Sequence, residues 1–251
     1  MEVEFILTLN VQRELYEKPR DMARFRWYIE QLLGGTGRDD DERDVQLPIV
    51  AVNPMGKEHC LAAVNALIAI DADGVAAAAA REAAARLSEM NASARVYVNL
   101  LDDRMGGWTN RIYSEFGLRY GTAFAMRANR KRRFAGVWCW TSEAYAAADI
   151  RVMTFDAVYR AAYWQTLGAP RTLREMLALD RGAAQFSGAQ APRLSADDLD
   201  YTREVLAPFL DASDQPTCIA ALFGDEAARS CGYAPLGVSA LAGQALAAHG
   251  A

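Results

Sequence analysis

Hydrophobic and polar positions alternate at the start of the chain. Apolar residues recur at every second position from Val3 to Leu9, which is the period of a strand with one buried face. Three short apolar runs are typical of strands buried on both faces: 47–52, 95–101 and 134–140. The run 218–223 is a candidate for a last strand. The pattern therefore predicts a sheet of about four or five strands.

The segments between these runs have helical spacing, with apolar residues three or four positions apart. The clearest of them are 20–33, 74–90 and 154–167. Asn53 and Pro54 predict a further helix start, with Asn53 as the N-cap. Thr172 and Ser195 begin capping-box patterns in the second half of the chain. This alternation predicts an α/β fold, a mostly parallel sheet with helices on both faces and a helical C-terminal half.

The length of 251 residues fits a single α/β domain. We expect four parts: a first strand and helix (1–33), an acidic loop (34–46), the core strands with the site loops (47–150) and a mainly helical cap or dimer region (151–251). The loop should be mobile, because residues 34–44 include a block of acids and no apolar side chain.

Composition and charge exclude several classes of partner. No apolar run approaches the roughly 18 residues that a membrane span needs, and the acidic N-terminus does not resemble a secretory signal, so we expect a cytoplasmic protein with no membrane partner. A net charge of −5 gives no general attraction to nucleic acid. The basic run 127–133 lacks interleaved aromatic residues and is interpreted as a solvated loop.

Polar residues cluster where three of the predicted strands end. These residues are Asn53, Lys57, Glu58 and His59 after the first, Asp102, Asp103, Arg104, Trp108, Asn110 and Arg111 after the second, and Ser142 and Glu143 after the third, with Trp140 as its last residue. Ligands of open α/β sheets bind outside the carboxyl ends of the strands. The sequence therefore predicts one site built from these residues.

Their chemistry suggests a division of labour in an enzyme. His59 is the candidate general acid or base, because an imidazole titrates near neutral pH. Glu58, Asp102 and Asp103 are the candidate catalytic carboxylates, and the remaining residues are candidates for substrate binding. Lys57, Arg104 and Arg111 would neutralise an anionic substrate, whereas Trp108 and Trp140 would exclude water.

Each of these residues also has a structural interpretation. A lone histidine near a helix start is more often structural than catalytic, and adjacent aspartates before Gly106-Gly107 are also typical of a turn. Gly56-Lys57 resembles part of a phosphate-binding loop but lacks its first glycine, and Glu58 stands where a magnesium-binding Ser or Thr would be. These alternatives remain open at the sequence level.

Cofactors are not indicated by any motif. The four cysteines have no CxxC spacing, so we expect free, buried thiols and no disulfide. We expect no structural zinc, because adjacent His59 and Cys60 would point about 100° apart on a helix. A weakly bound divalent cation at Asp102 or Asp103 is the most that the sequence suggests, and there is no nicotinamide or flavin motif.

The sequence thus favours an enzyme, a hydrolase or lyase, that acts by general acid/base chemistry on a small polar, anionic metabolite. The alternative is a noncatalytic small-ligand-binding or scaffold protein of the same fold. We also expect a homodimer through the helical second half, because Tyr159, Tyr163 and Trp164 offer more aromatic surface than one sheet-facing stripe needs.

Overall fold

A computed structural model describes residues 1–34, 45–104, 109–121 and 132–249. Its strands are β1 (Glu2–Ile6), β2 (Ser93–Leu101) and β3 (Phe134–Trp140). The α-helices in these ranges are α1 (Leu9–Glu17), α2 (Met22–Leu33), α3 (Glu58–Ala69), α4 (Ala72–Arg86), α5 (Arg111–Tyr120), α6 (Ala147–Leu167), α7 (Leu173–Ser187), α8 (Ala196–Leu206), α9 (Gln215–Phe223), α10 (Asp225–Ser230) and α11 (Ala242–His249). A short 3₁₀ turn, Ala207–Phe209, follows α8.

The described strands form a parallel sheet in the order β1-β2-β3. Leu101 is the register partner of Trp140, so β2 and β3 end side by side. The next residues along the chain, Asp102 and Thr141, therefore emerge together at the carboxyl edge. The α/β class and the parallel pairing agree with the sequence prediction, but the described sheet has three strands rather than four or five.

Side chains at the start of α1 form hydrogen bonds with the part of β2 that extends beyond β1. Strand β1 stops opposite Tyr97. Beyond it, the Thr8 hydroxyl and the Gln12 amide donate to the carbonyl of Val98, the latter over 3.2 Å. The side-chain oxygen of Gln12 accepts from the backbone N–H of Leu100 at 2.9 Å. These side chains satisfy backbone groups of β2 that would otherwise lack hydrogen-bond partners. They take the place of strand pairing beyond Ile6.

One face of the sheet carries the main hydrophobic core. Alternate residues of β2 and β3, such as Val98 and Val137, are buried there against α1, α3, α4 and α6. The alanine-rich face of α4 contributes Ala76, Ala79 and Ala80, each at most 1% exposed. Small side chains let this helix lie close to the strands. The alanines therefore favour the helix by their propensity and also allow it to pack against the sheet.

The opposite face of the sheet is aromatic. Tyr97, Phe134, Trp138 and Trp140 are buried in one cluster. Trp138 and Trp140 meet edge to face, with ring centroids 6.5 Å apart. Among the described residues, Leu118 of α5 and the loop residues Val45 and Ala51 pack against them. The two tryptophans share a face because side chains alternate along a strand.

Two predicted strands are wrong. Residues 47–52 form bends and turns, because Pro48 cannot donate to a strand ladder. Carbonyls of this segment instead accept from Tyr28, Asn99 and Thr109. The run 218–223 lies in α9, which is capped by Asp214, and every residue of the run is buried. A helix without a polar face has no helical periodicity, so its sequence resembles that of a buried strand.

The C-terminal half is helical, as expected. Helices α5 and α7 to α11 share a second core that includes Phe116, Leu179 and Phe223. A buried ionic network joins α5 and α7 to α6: Arg160 of α6 lies 2.7 Å from Asp156 and 2.8 Å from Asp180. The hydroxyl of Tyr120 in α5 donates to Asp180 at 2.6 Å.

The aromatic residues that motivated the dimer prediction pack within one chain. Tyr159, Tyr163 and Trp164 lie against the second core, and the Tyr159 ring contacts Phe186 with centroids 5.3 Å apart. The homodimer stays a prediction. Most of the predicted mobile loop, residues 35–44, lies outside the described residues.

Within the described ranges, no single helix is both long and apolar enough to cross a membrane. Helices α3 and α4 meet that requirement only when taken together, and they are bent by 54° at the break between them.

Candidate functional site

The carboxylate of Asp102, at the end of β2, is the centre of a buried hydrogen-bonded group. Its Oδ1 lies 2.9 Å from His59 Nε2 and accepts from Thr141 Oγ1 at 3.2 Å. Its Oδ2 accepts from the Asn53 amide at 3.0 Å. Burial favours the neutral acid, but the hydrogen bonds from His59 and Asn53 outweigh it and lower the pKa of Asp102. Asp102 is therefore a fixed carboxylate at neutral pH.

His59 is the solvent-facing member of this pair. It lies in the first turn of α3, and its side chain is 23% exposed, whereas that of Asp102 is 1% exposed. Both hydrogen-bond contacts of the ring are made by Nε2. Within the described part of the chain, Nδ1 has no hydrogen-bond partner. The imidazole is thus held at one nitrogen and open at the other.

A buried thiol lies next to the imidazole. Cys60 Sγ is 3.4 Å from His59 Nε2. Burial, helped by the charge of Asp102, raises the pKa of Cys60 to about 12, so this side chain is a neutral thiol at neutral pH. Tyr16 lies behind the sulfur, and the Arg24 guanidinium stacks 5.0 Å from the centre of its ring.

Gly56 explains the motif that resembles a phosphate-binding loop. A Cβ at this position would lie 2.6 Å from Cys60 Sγ and 2.9 Å from Tyr16 Cε1, distances that no side chain tolerates without movement. The carbonyl of Gly56 accepts from Arg24 at 2.9 Å. This glycine is required by close packing behind the cluster, and nothing in its contacts indicates a phosphate cradle.

Asp103 belongs to a neighbouring group on the other side of Thr141. It accepts from the Thr141 hydroxyl at 3.0 Å, from Ser142 Oγ at 2.5 Å and from Arg111 at 3.3 Å. Burial alone would raise its pKa, but the Ser142 and Thr141 hydrogen bonds lower it overall. Protein donors engage both of its oxygens, which argues against Asp103 as a ligand of the divalent cation that the sequence allowed at Asp102 or Asp103.

Arg111 is surrounded by acidic side chains. It donates to Glu115 at 2.7 Å and also to Glu143, and its guanidinium lies 5.2 Å from the centre of the Trp140 ring. Burial favours the neutral form, but the charges of Glu115 and Glu143 raise the pKa of Arg111 further. With Asp103 as a third carboxylate partner, its charge is already balanced within the protein.

The predicted site is therefore divided into two parts. Asn53, His59 and Asp102 form one part. We call these three residues and Cys60 the His59 cluster. Arg111, Trp140 and Glu143 line a separate groove of about 740 Å³ that runs along the outer edge of β3. No residue of the His59 cluster lines this groove. Asp103, Thr141 and Ser142 connect the two parts.

The other predicted site residues lie outside the hydrogen-bonded network or touch only its edge. Lys57 and Glu58 are exposed at the start of α3. Arg104 has an exposed side chain, and only its backbone N–H reaches Asp102, at 3.3 Å. Asn110 caps α5 by accepting from the N–H of Tyr113. Trp108 lies outside the described residues.

No family model, curated protein or solved structure matches this chain.

Three residues in or beside the His59 cluster were not among the sequence candidates. Cys60 was set aside because adjacent helix positions diverge, yet the longer imidazole bends back until Nε2 meets the sulfur. Thr141 directly follows β3, so the parallel register could have placed it beside Asp102. Tyr16 had no such signal, because it lies in helix α1, which the sequence pattern did not reveal.

Proposed function

We propose that the chain is an enzyme that transfers a proton to or from a small polar, anionic molecule at the His59 cluster. The observation that carries this proposal is the 2.9 Å contact between His59 Nε2 and a buried, fully bonded Asp102 carboxylate. A buried carboxylate that accepts a ring N–H fixes the tautomer of the imidazole and stabilises its charged form.

The open nitrogen is the reactive atom in this proposal. With the proton on Nε2 directed at Asp102, Nδ1 carries the lone pair and can accept a proton from a substrate or a water molecule. The proton then returns from Nδ1 to the product. A positioned general base of this kind contributes about 10²–10⁴-fold to a rate.

The surroundings favour an anionic substrate. The amino end of α3 carries the partial positive charge of the helix dipole. Lys57 and Arg104 are exposed nearby, and no carboxylate of the described residues forms a salt bridge with either, in contrast to Arg111. Lys57 and Arg104 are therefore the proposed substrate-binding cations, and Arg111 is a structural residue of the groove.

Two histidine variants test the proposal. Small carboxylates and phosphate monoesters are screened for binding by thermal shift, and the ligands found are tested for turnover. His59→Ala should lower turnover by about 10²–10⁴-fold. His249→Ala, at the exposed end of α11, is the matched control and should leave it unchanged. Lys57→Ala should mainly weaken substrate binding. Unchanged turnover in folded His59→Ala protein would refute the assignment.

The groove along β3 supports the alternative, a noncatalytic ligand-binding protein. Its volume of about 740 Å³ is that of a small-molecule site, and Trp138 and Trp140 supply aromatic walls. A screened ligand that binds, is not converted and loses affinity in Trp140→Leu but not in His59→Ala protein would favour this alternative.

A further inference from the structure

Three potential metal ligands converge in the His59 cluster. The imidazole Nε2 of His59, the sulfur of Cys60 and a carboxylate oxygen of Asp102 all lie within 4.8 Å of one another. Two of the separations are 2.9 Å, from nitrogen to oxygen, and 3.4 Å, from nitrogen to sulfur. Donor atoms around a tetrahedral zinc ion, with bonds of roughly 2.0–2.3 Å, lie roughly 3.3–3.6 Å apart. The cluster therefore needs little adjustment to hold such an ion.

Hydrogen bonds account for only part of this arrangement, because the Cys60 thiol can donate to Asp102 but its 3.4 Å contact with His59 is not explained in the same way. Both close contacts of the ring use the same nitrogen, Nε2. A neutral imidazole nitrogen is either a donor or an acceptor, so it cannot donate to Asp102 and accept from the Cys60 thiol at the same time. In a nucleophile–histidine–aspartate triad the two partners use different ring nitrogens. A cation between the three side chains would satisfy all of them together.

The residues behind the ligands match the outer shell of a metal site. The Tyr16 hydroxyl is buried beside the Cys60 sulfur, and by strict geometry it has no hydrogen-bond partner among the described residues. A thiolate ligand would accept that hydrogen bond. The Asn53 amide and the Thr141 hydroxyl already orient the carboxylate of Asp102. Ligating side chains in proteins are held in this way by second hydrogen-bonding partners.

The ligand types select the metal. Thiolate and imidazole bind zinc well, whereas calcium and magnesium prefer oxygen ligands alone. Three protein ligands leave a fourth position for water, which distinguishes such a centre from a closed structural zinc site. The inference departs from the expectation that zinc would not bind here, because that expectation assumed that the side chains of His59 and Cys60 diverge.

We propose that His59, Cys60 and Asp102 form a three-ligand zinc site. The inference rests on the cluster of the proposed function, and it adds a means of regulation. Zinc on Nε2 leaves the imidazole proton on Nδ1, so His59 cannot act as a base while the ion is bound. Zinc-loaded and metal-free protein are therefore two different states of the same site.

Metal binding is tested without any substrate. Protein freed of metal with a chelator is titrated with Co²⁺, whose tetrahedral thiolate complexes have a sulfur-to-metal absorption band, and the cobalt is then displaced by Zn²⁺. We expect one equivalent of each metal per chain. Cys60→Ala should abolish the band and the bound equivalent, and Tyr16→Phe should weaken zinc about 10–100-fold. Cys231→Ala, which removes a partly exposed thiol, is the control and should bind like the wild type.

The result that overturns the inference is the absence of a stoichiometric band, or a band that persists in folded Cys60→Ala protein. Asp102→Asn provides a second variant and should also lose the bound equivalent, with circular dichroism to show that it folds. Turnover of the metal-free protein is measured separately. A protein that binds zinc but has no His59-dependent turnover refutes only the proposed function, and the reverse result refutes only the zinc site.

Discussion

The side-chain amide of Asn53 donates to Oδ2 of Asp102 at 3.0 Å, although 49 positions of sequence separate the two residues. This bond fixes the plane of the carboxylate and leaves Oδ1 for His59. Asn53 itself is held by its Oδ1, which accepts from the N–H of Met55 in a tight turn. This turn lies where the sequence predicted a helix start with Asn53 as its N-cap, whereas the helix begins at Glu58, and the turn sets the orientation of the central carboxylate.

Asn53→Asp should reverse the electrostatics of this contact. It replaces a hydrogen-bond donor with a second carboxylate at the same distance from Asp102, and like charges so close cannot both be ionised easily. The pair should then titrate in two separate steps, the upper one well above the ordinary range of an aspartate. Carbon NMR of the aspartate carboxyls measures this. Asn110→Asp, at an exposed helix cap that tolerates either residue, should show no such pair, and a single low step in the Asn53 variant would contradict the prediction.

Thr141→Val should make the free energy of unfolding less dependent on pH in the acidic range. The lowered pKa values of Asp102 and Asp103 contribute stability above the unfolded value of about 4, and this is lost as the pH falls through the folded values. Removing the hydroxyl leaves buried carboxylate oxygens with fewer donors, at a cost of about 1–3 kcal/mol at pH 7.

Denaturant unfolding at pH 7 and pH 3 tests this prediction. The difference between Thr141→Val and the wild type should shrink as the pH falls through the lowered folded pKa values, because the hydrogen bonds to the ionised carboxylates are lost as these groups become protonated. Thr141→Ser keeps the hydroxyl and should show the wild-type pH dependence. An equal loss of stability at both pH values would attribute the effect to packing alone.

Arg160→Met should destabilise the C-terminal half strongly. The substitution leaves the buried charge of Asp180 without its cation, and such unpaired charges cost about 3–5 kcal/mol. Arg151→Met is the matched control, because Arg151 lies on the same helix but pairs with Glu82 at the surface and should change the free energy of unfolding little. Chemical denaturation compares the two variants, and equal effects would show that the network is not stabilising.

Asp73→Asn should stabilise the protein more as the pH rises. Burial at the start of α4 raises the pKa of Asp73 to about 6. Between pH about 4 and 6 the folded state binds more protons than the unfolded chain, so this carboxyl lowers the free energy of unfolding with rising pH, by up to about 3 kcal/mol. Asparagine removes this dependence. Melting temperatures of both proteins from pH 4 to 8 provide the check, and a constant difference between them would count against it.

The sequence predicted those elements whose local pattern agrees with the final packing. The bounds of β3 were predicted as observed, because its apolar run has no proline and is buried on both faces. The run 47–52 has the same hydrophobicity, but Pro48 and side-chain donors from other elements hold it in turns. Which side chains will bond those carbonyls is a tertiary property and has no local signal.

The candidate site shows the same division. Parallel strands that end together explain why Asp102 and Thr141 meet, and the sequence pattern was sufficient to place Asp102 at the carboxyl edge. It could not separate Arg111 from the His59 cluster, because the three carboxylates around Arg111 come from different segments. It also missed Cys60, because a helical wheel describes directions at Cβ and not the reach of an imidazole.

The parallel arrangement of β2 and β3 also determines the stage of synthesis at which the site can be completed. Thr141 lies 39 positions beyond Asp102, so a ribosome must release β3 before the carboxylate has its full set of donors. Until then β2 presents an unpaired edge and its apolar faces to other nascent chains. The same topology that gathers the site from distant segments therefore delays its completion until β3 has been synthesised and paired.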